Sequence, residues 1–138
     1  MGKRIRTALV LLGLVLAFPA VARANPDQDF REGMAAGSKG DMDAAIAAFS
    51  RIIAAGAAVE PKNLASAYNL RGVCHEAKNE LQEALADYTK AVETDAKLAE
   101  AFGNRAMLYM KLGDEAKARE DATAAKRIDR KVKVPEFK

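Results

Sequence analysis

Cysteine and histidine occur once each in these 138 residues, as the neighbours Cys74 and His75, and only 6% of the residues are aromatic. A lone cysteine cannot close an internal disulfide, so packing alone must hold the chain even in an oxidising compartment. One histidine and one cysteine leave a metal ion little but carboxylates, and no loop has the spacing of a calcium site, so no metal and no cofactor is expected. Glycine-rich phosphate loops, HExxH and nucleophile elbows are also missing. The scarcity of aromatics, beside a 50% apolar share, suits one small helical domain better than a β-sandwich.

The basic character of the chain is confined to its start. Residues 1–24 place Lys3, Arg4 and Arg6 before an apolar run from Ala8 to Phe18, followed by Pro19 and then Ala22, Arg23 and Ala24. That pattern is a secretory signal peptide with a cut expected after Ala24, and the run is too short for a membrane span of about 20 residues. Without this segment 18 basic residues face 19 acidic ones, so the formal charge of +3 becomes −1. Nucleic-acid binding loses its compositional support. The expected location is periplasmic or secreted, with no membrane span in the mature form. Basic residues remain concentrated at the C-terminus, where Lys126, Arg127, Arg130, Lys131 and Lys133 crowd together.

What the chain does have is a repeat. KNELQEALADYTKAV, starting at Lys78, is echoed by LGDEAKAREDATAAK 34 residues later and by KGDMDAAIAAFSRII 39 residues earlier. Each echo has Asn or Gly second, an acid third and alanine seventh. Between residues 65–98 and 99–132 nine positions are identical at the 34-residue step, among them Ala65 and Ala99, Arg71 and Arg105, Ala84 and Ala118, and Asp87 and Asp121. A period of this length signals a helical array.

Each unit reads as two antiparallel helices. Leu64, Ala67, Tyr68, Gly72 and His75 recur at three- and four-residue steps, as do Leu81, Ala84, Leu85, Tyr88, Ala91 and Val92, giving each helix one face to bury. Asn79 and Glu80 break the first helix, and Asp95 is placed to cap the next one. Gly72 and Ala84 are small where two helix backbones approach. In the first unit, five extra residues within AAGAAVEPKN must lengthen the second helix or its loop, and Pro61 suits the start of the helix that follows.

AYNLRG, AFGNRA, the turns KNEL and LGDE, and ALADYTKAV with AREDATAAK resemble the tetratricopeptide repeat family, small exported bacterial members in particular. The resemblance implies an all-α, right-handed superhelical stack of about three hairpins over residues 25–132. The repeats would span about 26–64, 65–98 and 99–132, leaving 133–138 as a tail. The proline that usually closes each repeat is missing at Ala96 and Arg130. In the first repeat, the aromatic expected at Asp29 is displaced to Phe30.

The family lines a concave groove with the first helix of each hairpin. Here those positions carry Phe30, Met34 and Gly37, then Asn69, Val73 and Glu76, then Gly103, Asn104, Met107, Met110 and Lys111. Methionines make an adaptable apolar floor, Gly103 would leave room for a bound chain, and Asn69 and Asn104 would bond a peptide backbone. Some members grip acidic chaperone tails with a basic and amide clamp, but Phe30, Met34, Leu70 and Glu100 stand where that clamp needs Lys and Asn. Arg71 with Asp87, and Arg105 with Asp121, recur together and are lost together in the first repeat, where Glu32 and Ala48 replace them, so each pair is expected to form a structural ion pair. No catalytic residue is assigned, because Cys74 and His75 sit about 100° apart on a helix and cannot form a thiolate with its base.

The expected function is a non-catalytic interaction module of the cell envelope, binding a peptide segment of another protein. The alternatives are self-association, as a homodimer through the C-terminal hairpin, and contact with an anionic surface through the basic C-terminus. Val132, Val134 and Phe137 are the residues able to fold back and seal Ala122, Ala125 and Ile128.

Overall fold

Three turns with one hydrogen-bond pattern divide the chain into hairpins. Gly40, Asn79 and Gly113 take positive φ, at 80°, 61° and 83°. The amide of the following residue reaches back to a carbonyl of the preceding helix: Asp41 to Ala36 at 3.0 Å, Glu80 to His75 at 2.9 Å and Asp114 to Tyr109 at 2.9 Å. The left-handed conformation penalises most side chains, which explains why only Gly and Asn stand there. The acid that follows starts the second helix. Asp41 accepts from the Ala44 amide at 3.0 Å and Asp114 from the Lys117 amide at 3.1 Å, while Glu80 makes no such cap.

The computed structural model describes residues 25–138, so the expected signal peptide lies outside the described residues. The elements are α1 (Pro26–Ser38), α2 (Met42–Ala55), a 3₁₀ turn (Gly56–Ala58), α3 (Pro61–Ala77), α4 (Leu81–Thr94), α5 (Ala99–Lys111) and α6 (Glu115–Ile128). Among the described residues no strand occurs and no helix is long and apolar enough to cross a membrane. The extra residues of the first unit form the 3₁₀ turn and an additional turn at the start of α3, which runs 17 residues against 13 for α5. Proline fits that start because its missing N–H has no intrahelical partner there.

One expectation is corrected here. Asp95 does not cap α5: its carboxylate accepts from the Lys97 amide at 2.9 Å, and Leu98 precedes α5 without a side-chain cap. Asp129 does the same with the Lys131 amide at 2.9 Å. An Asp two residues before a backbone N–H closes its own local turn, which forestalls the longer-range cap.

Within each hairpin the helices pack as α1 on α2, α3 on α4 and α5 on α6; α2 meets α3, α4 meets α5, and α3 also touches α5. Among the described residues no comparable contact joins α2 to α4 or α4 to α6. The stack therefore opens on the side of the second helices, and the first helices line the concave side. Close approach within the hairpins depends on Gly33 and Gly72, where a Cβ would lie 2.7 Å from the rings of Phe49 and Tyr88. Real Cβ contacts are not that short, so any larger residue must displace the ring.

Candidate interaction site

On the concave side, one position of each first helix carries a large apolar side chain with no partner. Met34, Val73 and Met107 are 47%, 41% and 45% exposed. Helix geometry puts them there, because the burying stripe of each helix faces its own hairpin and turns these positions outward. Met34 and Val73 border a cavity of about 260 Å³ between α1 and α3, walled also by Gly37, Met42 and Leu70, with Phe49 and the buried Cys74 at its base.

The other expected groove residues divide. Met110 is half-buried and Lys111 exposed, its ammonium 3.9 Å from Glu76. Glu76 is partly engaged inside its own hairpin, accepting from the Tyr88 hydroxyl at 3.0 Å. Asn69 and Asn104 are not both free for a bound peptide: Asn104 donates its side-chain amide to Asn69 Oδ1 at 2.9 Å, and Asn69 is buried. The two amides join α3 to α5. Gly103 does not leave room for a foreign chain either, because the Lys133 carbonyl oxygen lies 2.5 Å from where its Cβ would stand. The chain's own tail fills that space. Phe30 belongs largely to the first core, edge-on to Phe49 with centroids 5.8 Å apart. It is one residue off the position of the ring it replaces, and it turns inward accordingly.

The arginines do more than pair. Arg71 donates to both oxygens of Asp87 at 2.8 and 2.7 Å, and Arg105 to both oxygens of Asp121 at 2.7 and 2.8 Å. Each also reaches back to the preceding hairpin, Arg71 to the Ser50 hydroxyl at 3.0 Å and Arg105 to the Thr89 hydroxyl at 3.3 Å. One guanidinium thus locks three helices, and its hydrogen bond to the aspartate holds its pKa above the ordinary value despite burial. In the first hairpin the polarity is reversed: Arg51 on α2 pairs with Asp29 at 2.6 Å and with Glu32 on α1. Sequence reading missed this pair, whose only signal is a buried acid where the repeat pattern asks for an aromatic.

A second polar cluster sits at the α3–α4 turn. His75 Nδ1 lies 2.6 Å from Glu80, and its Nε2 lies 3.8 Å from Asp87. His75 is thus a polar linker rather than only a packing ring, and it is turned away from any role beside Cys74. Lys78 binds Glu80 at 2.9 Å and Asp43 across the hairpin boundary. The His75 hydrogen bond, and then Lys78, hold the Glu80 carboxyl below its ordinary range. Burial pushes the Cys74 thiol up, away from the reactive thiolate.

Two stretches, residues 65–97 and 99–132, match the family described as tetratricopeptide repeat. The chain is a tetratricopeptide repeat protein. Among solved structures it is similar to the yeast Sti1 TPR2B domain in its pHsp70 complex, at 25% identity and TM-score 0.69, covering 78% of this chain and 82% of that one. It is similar too to the second TPR of Spaghetti (RPAP3) bound to the HSP90 peptide SRMEEVD, at 23% identity and TM-score 0.68, covering 75% and 92%. YrrB, a TPR protein with an unusual peptide-binding site, gives 23% identity and TM-score 0.66 over 80% of this chain, which spans 54% of YrrB. No curated protein matches the sequence.

Among the described residues no helix follows α6. Val132, 34 residues after Leu98, is buried against Ala99 and Ala125, with Phe102 and Val134 beside it. Lys126 donates to the carbonyls of Arg130 and Val132 at 2.9 and 2.6 Å. The Arg119 guanidinium stacks on Phe137 at 4.4 Å. Val132 and Val134 cover Ala125 as the sequence suggested, while Ile128 stays 40% exposed.

Proposed function

We propose that this protein is a non-catalytic adaptor of the cell envelope that holds a peptide segment of a partner protein against its concave face. The observation that carries the reading is the row Met34, Val73 and Met107, three large apolar side chains left unpartnered at one repeat position. Scattered exposed apolar residues are ordinary, but the same position in the first helices of three successive hairpins forms a track across the stack. Similar solved structures in complex with pHsp70 and with the HSP90 peptide SRMEEVD support peptide capture as the mode of action. The apolar floor and the absence of a clamp favour an apolar or amphipathic segment over an acidic tail. Envelope location rests on the leader-like residues 1–24.

The deciding experiment is photo-crosslinking in cells with the reactive group at Met34, Val73 or Met107, and at Lys90, exposed on the second helix α4, as an outside control. A discrete adduct from the three groove positions alone is the expected result. Adducts only from Lys90, or only to a second copy, would overturn the reading. Self-association draws less support, because Leu112 and Ile128, the exposed large apolar residues of the last hairpin outside the track, flank opposite ends of α6 and are about 20 Å apart along it.

A further inference from the structure

A second cavity, of about 780 Å³, lies between α6 and the tail and shares no residue with the concave track. Its volume falls within the roughly 300–1,000 Å³ of small-molecule sites. The floor is apolar, made by Ala122, Val134, Pro135 and Phe137; the rim is cationic, made by Arg119, Lys126, Arg127 and Arg130, and no acidic residue lines it.

The four cations are not equally occupied. Arg119 is held by Glu115 and by the Phe137 ring, and Lys126 gives two of its three N–H groups to tail carbonyls. Arg127 and Arg130 make no ion pair among the described residues, a state they share only with Arg31, whereas Arg51, Arg71, Arg105 and Arg119 are all paired. Charge is distributed to match. From Lys126 to Lys138 six basic residues face two acidic ones, a net +4, while residues 25–125 hold twelve basic against seventeen acidic, a net −5. An anion is repelled by the body and drawn to this end.

We propose that this cavity binds a single-chain amphiphilic anion, its carboxylate or phosphate head on Arg127 and Arg130 and its apolar chain over Ala122, Val134 and Phe137. Guanidinium forks match both head groups, and the remaining N–H of Lys126 adds a donor. A long polyanion fits less well, since beyond these few cations it would run on to the acidic body.

The test is a titration of the full, isotopically labelled chain with dodecanoate, dodecyl phosphate and the uncharged dodecyl maltoside, each below its micelle concentration, followed by amide shifts. Saturable shifts confined to α6 and the tail are expected with one or both anions; a preference for the carboxylate points to fatty acids, and for the phosphate to phospholipid-derived chains. The double variant Arg127→Glu/Arg130→Glu, at exposed positions, should keep its helical dichroism and bind at least ten-fold more weakly. Phe137→Ala should weaken both anions alike. Equal binding of the maltoside, shifts centred instead on Met34, Val73 and Met107, or binding of an acidic peptide or anionic vesicles with neither amphiphile bound, would each overturn the proposal.

Discussion

Between α1 and α2 the core is filled by Phe49 and Ile52, with Phe30 edge-on to Phe49, whereas α6 buries Ala118, Ala122 and Ala125 and no larger apolar side chain. Both hairpins have the same turn and the same helix pairing, so the difference lies in how the space is filled. Sixteen residues separate Gly33 from Phe49, Gly72 from Tyr88 and Ala106 from Ala122. Where the second helix contributes a ring, the first must give up its Cβ; where it contributes alanine, the first keeps one. What the repeat preserves is a contact free of overlap, as close packing demands. The last hairpin compensates with polar locking by Arg105 and with Val132 from the tail.

The largest effect should come from Phe49→Ala, which empties the first hairpin and should cost about 4 kcal/mol, the usual scale for a buried ring. Chemical denaturation measures it, and hydrogen exchange should show α1 and α2 opening first while α6 keeps its protection. Next comes Arg105→Ala, which leaves Asp121 buried beside nothing and should cost about 3 kcal/mol. Were the last hairpin held by its alanines alone, this variant would melt like the wild type. Gly72→Ala drives a Cβ into the Tyr88 ring and should cost about 2 kcal/mol. The converse change in the third repeat, Ala106→Gly, should cost only about 1 kcal/mol, the ordinary helix penalty. Comparing the two melting temperatures tests directly whether the ring opposite is what excludes the Cβ.

The smallest effect separates the turns. Glu80, alone among the three turn acids in making no helix cap, has its carboxyl held below its ordinary value of 4.5 by His75 and Lys78. A depressed folded value means its contribution is complete above that pH and is lost as the pH falls through the folded value. Glu80→Gln should therefore melt slightly below the wild type at neutral pH, and the gap should close in acid.

What could be read from the sequence was whatever repeats. The turns, the small residues at helix contacts, and the Arg71–Asp87 and Arg105–Asp121 pairs all recur at a fixed step, so each occurrence supported the other. The contacts that escaped are singular. Arg51 with Asp29 reverses the polarity of the later pairs. Asn104 meets Asn69 across a repeat boundary, and Lys133 crosses Gly103 from a segment with no counterpart in any repeat. Those last two contacts are why the groove is narrower and more apolar than its residue types implied. Spacing predicts which face a residue occupies, but a tail that returns over that face leaves no periodic mark.

That tail also covers one end of the array. A stack of identical hairpins is in principle an open polymer, since every added unit presents the face that would receive the next. Here Val132 starts along the route Leu98 takes into the next hairpin, but Pro135 disfavours the helical conformation at Val134, and the chain lies back against α6 instead. The segment acts as an end group: Val132 and Lys133 occupy the face of α5 and α6 that a following hairpin would need.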